Sequence, residues 1–98
     1  MDEKKMFNYV SFAIKSGEVV FGIDNIKTAK VKPTCIILSK NASQNLKDSV
    51  LRFCEDKNVP YINLQEYEID QLAHTTNCKV IGITNINIAK QVLYLKNQ

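Results

Sequence analysis

Apolar positions along the chain switch between a helical period and short continuous runs. Over residues 3–16, Phe7, Val10, Ser11 and Ile14 fall at three- and four-residue steps, which predicts a helix with one buried stripe. Lys15 suits the negative pole of that helix, and Gly17 supplies its end. Val19-Val20-Phe21 is a β-branched and aromatic run, read as a strand that Gly22 terminates. Ile23 to Ala29 predicts a short helix whose first N–H groups Asp24 or Asn25 can bond, and Pro33 blocks its extension. TCIILS, residues 34–39, is apolar throughout, the pattern of a strand covered by helices on both faces.

The second half repeats this alternation. Asn41 and Ser43 are two N-cap candidates for a helix over about 43–57, with Leu46, Val50, Phe53 and Cys54 on its apolar face and Asn58 at its end. VPYINL, residues 59–64, reads as a strand, and Pro60 places it at a sheet edge or marks its first position. Residues 65–75 suggest a helix with Ile69, Leu72 and Ala73 on one side, followed by a turn at Asn77 and Cys78. KVIGIT, residues 79–84, is a strand, and Asn85 or Asn87 opens a last helix that repeats Ile88, Val92 and Leu95 on one face. Helices alternating with strands predict an α/β fold. The expected architecture is a three-layer α/β/α sandwich on a small mixed sheet of about four strands, formed by residues 1–98 as one domain.

Composition narrows the function classes. The chain is 45% hydrophobic and 23% charged, an ordinary globular balance that excludes disordered and collagen-like chains. No apolar run approaches the ~18–20 residues of a membrane span, and MDEKKMFNYV lacks the apolar stretch of a secretory signal, so no membrane association is expected. Cys35, Cys54 and Cys78 are odd in number and lack CxxC spacing, which argues for reduced thiols and a cytoplasmic location. The net charge of +3 is mild, but its distribution is uneven. Lys27, Lys30, Lys32 and Lys40 face the single acid Asp24, whereas Glu55, Asp56, Glu66, Glu68 and Asp70 outnumber Lys57, so a basic side and an acidic side are expected.

Catalytic signatures are absent from the sequence. His74 has no second imidazole, the cysteines lack zinc spacing, and no GxSxG, GxxxxGK[ST] or GxGxxG segment occurs. His74 and Cys78 lie four residues apart, a helical spacing that the turn at Asn77 interrupts. The expectation is a non-enzymatic protein with no cofactor and no metal. VVFGIDNIKTAK offers a different chemistry. Gly22 stands at a strand-to-helix junction, and a helix start attracts anions while presenting Asp24, Asn25 and Thr28 toward base edges, with Lys27, Lys30 and Lys32 able to neutralise phosphates. From spacing alone, the same residues are more simply read as a turn glycine, a cap and a solvated lysine face.

Four stretches, in order and at matching spacing, resemble the L7Ae/L30e ribosomal protein family over about residues 6–95, most closely its bacterial YlxQ-like branch. They are KSGEVVFGIDNIKTA, CIILSKNASQNLKDSV, RFCEDKNVPYINL and VIGITNINIAKQV. The resemblance implies an α/β/α sandwich that binds structured RNA, usually kink-turns. Ribosomal or translation-associated proteins are expected partners beside the RNA, and a monomer is expected. By position, Gly22 matches the family's junction glycine, and Asp24 and Asn25 match its base-reading polar pair. Thr28 takes the place of its basic residue, with Lys27 one position earlier. Lys30, Lys32 and Lys40 extend the basic edge. Asn77, Cys78 and Lys79 stand where the family has a loop over a flipped nucleotide, here shorter and without the row of small apolar residues. The alternative reading is a protein-interaction module that keeps the fold and has lost RNA binding.

Overall fold

The computed structural model describes residues 2–70 and 78–97. In chain order the elements are α1 (Glu3–Lys15), β1 (Val19–Phe21), α2 (Ile23–Thr28), β2 (Cys35–Leu38), α3 (Gln44–Lys57), β3 (Tyr61–Asn63), β4 (Val80–Ile83) and α4 (Ile86–Lys96). The strands form one mixed sheet in the order β1-β4-β2-β3. β4 pairs antiparallel with β1 (Val19 opposite Ile83) and with β2 (Leu38 opposite Val80), while β3 runs parallel to β2.

Alternation along the central strands builds the layers. Cys35, Ile37, Ile81 and Ile83 point to one face, where Met6, Val10 and Ala13 of α1 and Ile88, Ala89 and Val92 of α4 cover them. Ile36, Leu38 and Val80 point to the other, beneath Ile26 of α2 and Val50, Phe53 and Cys54 of α3. All residues of β2 and β4 are buried, and each buried Ile or Leu contributes roughly 1.5–3 kcal/mol. This is the α/β/α sandwich that the alternating pattern predicts. β3 lies at the sheet edge as Pro60 indicates: that proline immediately precedes the strand, and its carbonyl accepts from the Ile36 N–H at 3.0 Å.

Local chemistry sets the helix ends. The Ser43 hydroxyl accepts from the Leu46 N–H at 3.2 Å, so Ser43 and not Asn41 caps α3. Asn41 instead accepts from the Ser39 hydroxyl at 2.8 Å. Asn85 caps α4 through the Ile88 N–H, and Asn58 ends α3 in the left-handed conformation with φ 55°. Each side-chain N-cap is worth about 1 kcal/mol.

Two sequence expectations are corrected. The buried stripe of α1 is Glu3, Met6, Val10 and Ala13; Phe7, Ser11 and Ile14 sit half-buried beside it. Residues 65–69 are not helical. Both differences have one cause. Glu3 is buried, and its Oε1 accepts from the backbone N–H groups of Gln65 (2.9 Å), Glu66 (2.7 Å) and Tyr67 (3.2 Å). The hydroxyl of Ser39 takes the Ile69 N–H at 3.0 Å. These bonds fold residues 65–69 into a nest around the carboxylate and rotate Glu3 inward, while Phe7 stacks on Tyr67 with ring centroids 4.3 Å apart. Leu72 and Ala73, also expected on a helix here, lie outside the described residues.

Gly82 fixes how closely the α2 layer approaches the sheet. A Cβ at that position would lie 3.0 Å from the Cβ and Cγ of Pro33 and 3.4 Å from Ile26. Pro33 and Ile26 are themselves buried and have little room to retreat. Gly82→Ala is therefore expected to destabilise the fold by about 1–3 kcal/mol despite the better strand propensity of alanine, read as a lowered urea midpoint at unchanged m-value. Glu3→Gln keeps the shape and removes the charge that the three N–H groups face; a loss of about 1.5–3 kcal/mol is expected in the same measurement. A variant as stable as the parent would show that the carboxylate does not hold the 65–67 segment.

Candidate nucleic-acid interface

The sheet order determines which candidate residues meet. Gly22 follows β1, and its N–H donates to the Val80 carbonyl at 3.0 Å. The Ser39 N–H, just past β2, donates to the Lys79 carbonyl at 2.8 Å. One end of the sheet therefore carries Gly22, Asp24 and Asn25 beside Cys78, Lys79 and Lys40. Asn77 belongs to the same loop in sequence but lies outside the described residues, as does His74.

Gly22 is the N-cap of α2, with φ 84° and ψ 148°, a conformation essentially confined to glycine. No side chain caps this helix start, contrary to the expectation for Asp24 or Asn25. The reason is geometric. The Asn25 amide donates backward to the Phe21 carbonyl at 2.8 Å, which holds the side chain against the strand end. Asp24 and Asn25 are both exposed. Thr28 turns its hydroxyl back onto the Asp24 carbonyl at 3.1 Å, so that group is engaged within the helix.

The lysines divide between two places. Lys40 is exposed at the Gly22 end. Lys79 is there too, but its ammonium pairs with Asp70 at 2.6 Å and both side chains are about three-quarters buried. Lys27, Lys30 and Lys32 lie toward the other end of α2, where the chain turns at Pro33 into β2. There Lys27 meets Arg52, Phe53, Asp56 and Lys57 of α3 around a hollow of about 340 Å³. A second hollow of about 190 Å³ adds Lys30, Lys32 and Pro33. The Lys32 ammonium donates to the Lys57 carbonyl at 3.0 Å, at the C-terminal end of α3. Sequence reading missed Arg52 and counted Lys57 within an acidic stretch. Asp56 lines this basic groove and Asp70 is matched by Lys79, so these two acids do not belong to a separate acidic side. The available signal was helical spacing: Arg52 and Asp56, or Phe53 and Lys57, are four residues apart and share a face.

Among the described residues no three of His, Cys, Asp and Glu gather as a metal site. No helix among them is long and apolar enough to cross a membrane. The three thiols are not in disulfides. Cys78 is half-buried against the α1/α4 core, its Sγ 3.7 Å from the Val80 carbonyl.

The sequence matches the ribosomal protein L7Ae/L30e/S12e/Gadd45 family over residues 4–93. The chain belongs to this family. Membership in the L7Ae/L30e/S12e/Gadd45 family points to an RNA-binding ribonucleoprotein role, and the family's members are typically non-enzymatic. A solved structure described as a protein with unknown function from Bacillus halodurans C matches with a TM-score of 0.84 and 18% identity, covering 96% of this chain and 98% of that one. At that identity the likeness concerns the fold alone. No curated protein matches the sequence.

Cys35 and Cys54 are core thiols on opposite faces of the sheet. Burial pushes Cys35 from 9.0 up to about 12, against a smaller opposing pull from Lys96, and pushes Cys54 up to about 11. The unfolded chain therefore releases these protons from pH 9 upward while the folded protein keeps them. Stability is expected to be unaffected by these thiols below pH 9 and to fall between pH 9 and 11, by up to ~1.4 kcal/mol per pH unit for each. Urea midpoints at pH 8.5 and 10.5 should drop less in a Cys35→Ala/Cys54→Ala double variant, which subtracts the titration of lysines and tyrosines. An equal drop in both proteins would refute the assignment.

Proposed function

We propose that the protein is a structured-RNA binder of the kink-turn type, associated with ribosomal or other translation ribonucleoproteins, on the YlxQ-like branch of its family. The observation that carries this reading is the Gly22 corner. A glycine with positive φ starts α2 with no side chain over its first amides, and Asp24 and Asn25 stand exposed directly after it. Unpaired amides and short polar groups at such an end suit a sharply bent strand, whose phosphates and base edges both come within reach. Asn25 supports base reading in particular: its internal bond to Phe21 fixes the side chain before any ligand arrives, so little rotamer freedom is lost on contact. Lys40 adds charge at the same end. Lys79, already matched by Asp70, contributes position more than charge.

A second reading has its own observation. α1 and α4 leave an apolar hollow of about 410 Å³ lined by Asn8, Tyr9, Phe12, Asn87, Ile88 and Gln91, and Phe12 is 61% exposed on its rim. That surface favours a protein-interaction module that keeps the fold without RNA binding. A preparation eluted at low salt separates the two: an RNA binder co-purifies with nucleic acid and shows a raised 260/280 ratio.

The direct test measures affinity for a kink-turn RNA and a plain duplex at several salt concentrations. Asn25→Ala is expected to lose ~1–3 kcal/mol of discrimination between them, whereas Lys30→Ala should weaken both about equally. Equal parent affinity for the two RNAs, or indifference to both substitutions, would sink the proposal.

A further inference from the structure

We propose that the groove between α2 and α3 is a second RNA contact, a site for the sugar-phosphate backbone, in which Arg52 and Lys57 act with Lys27, Lys30 and Lys32. The inference rests on the RNA-binding reading above and assigns a role to α3 that the Gly22 corner does not require. The two hollows adjoin, sharing Lys27, Phe53 and Lys57. Their floor is Phe53, only 9% exposed and so unable to offer its ring for stacking. The walls are cationic. All five basic side chains are exposed, and the ion pairs among the described residues, Lys5–Asp2 and Lys79–Asp70, include none of them.

The opposing charges are smaller. Asp56 lines one hollow, and the C-terminal ends of α2 and α3 each add a partial negative charge of no more than about half a unit. Lys32 already satisfies the carbonyl of Lys57 and thereby offsets the α3 end. Five cations against one carboxylate and two partial charges leave a clear positive excess. A groove ringed by ammonium and guanidinium groups, over a Phe53 ring too covered to stack on a base face, favours repeated anionic groups. An acidic peptide shares that charge, but the groove's place favours RNA. α2 has six residues and is about 9 Å long, the axial rise of two to three nucleotides at ~3.4 Å each along one strand. A strand held at the Gly22 corner therefore reaches the groove with the nucleotides that flank it.

The test is an Arg52→Gln/Lys57→Gln double variant, with Arg52→Lys/Lys57→Arg as the charge-keeping control, assayed by fluorescence anisotropy on a kink-turn RNA and a plain RNA duplex. The double variant is expected to bind both RNAs about tenfold more weakly at low salt. Its log–log salt slope should be shallower by about 1.5–2, the loss of two phosphate contacts. The charge-keeping variant should bind as the parent does. A double variant with parental affinity and slope, or a charge-keeping variant equally impaired, overturns the inference. Poly-glutamate bound as tightly as an RNA of equal charge overturns the choice of RNA. If the parent binds RNA and Asn25→Ala loses discrimination while the double variant is unchanged, only this inference falls; if the parent binds neither RNA, both readings fall together.

Discussion

The arrangement depends on β4. Val80–Ile83 is hydrogen-bonded along both edges and buried on both faces, so it is the strand that every layer must meet. The decisive feature within it is a missing side chain. Because Gly82 presents only a hydrogen toward α2, Pro33 and Ile26 settle against the sheet at van der Waals distance. That contact sets the position of α2, and α2 carries one end of the proposed interface at each of its termini. β4 also supplies the carbonyl of Val80 that receives the Gly22 N–H and thus pins the corner directly to the sheet. Core packing and surface chemistry meet at the same four residues.

Under the proposed function, the short second helix separates two kinds of recognition. Its start is shaped: a glycine, uncapped amides and two short polar side chains, one of them the acid Asp24. Its end is shapeless and charged, with long flexible lysines facing an arginine and a lysine from α3. The first arrangement can discriminate between ligands; the second can only attract and retain them. Keeping Lys27, Lys30 and Lys32 away from the corner, where Lys40 is the one exposed lysine among the described residues, would favour selectivity, since strong charge beside a reading site holds wrong ligands as firmly as right ones. The Lys79–Asp70 pair would work in the same direction, by matching a cation at the end of the sheet where the proposed reading site lies.

Much of the layer order is legible in the residues because it rests on short-range signals. Apolar runs without alternation mark β2 and β4 as interior strands, Pro60 marks the edge, and Ser43 and Asn85 cap the helices they precede. What escapes is everything decided by a distant partner. Glu3 has the look of an ordinary solvated first-turn acid, and only residues 65–67 turn it inward. The helical pattern around Ile69 is preceded by a non-helical segment whose N–H groups turn to Glu3 and Ser39, partners thirty or more residues away. Along the candidate interface, Gly22, Asp24 and Asn25 were visible as neighbours in sequence. Helical spacing puts Arg52 on one face with Asp56, but no period in α3 reveals that α2 places Lys27 opposite it.

The Glu3 nest and the pairing of β1 have a common implication for how the chain comes into being. As a nascent polypeptide leaves the synthesis machinery, Glu3 emerges long before the amides of residues 65–67, and Val19 long before Ile83 opposite it. Glu3 therefore waits unsatisfied for residues 65–67, and the first strand waits for the final one. Closure must be a late and concerted event spanning long loops, the kind of topology that folds slowly and leaves an exposed early segment for chaperones to shield.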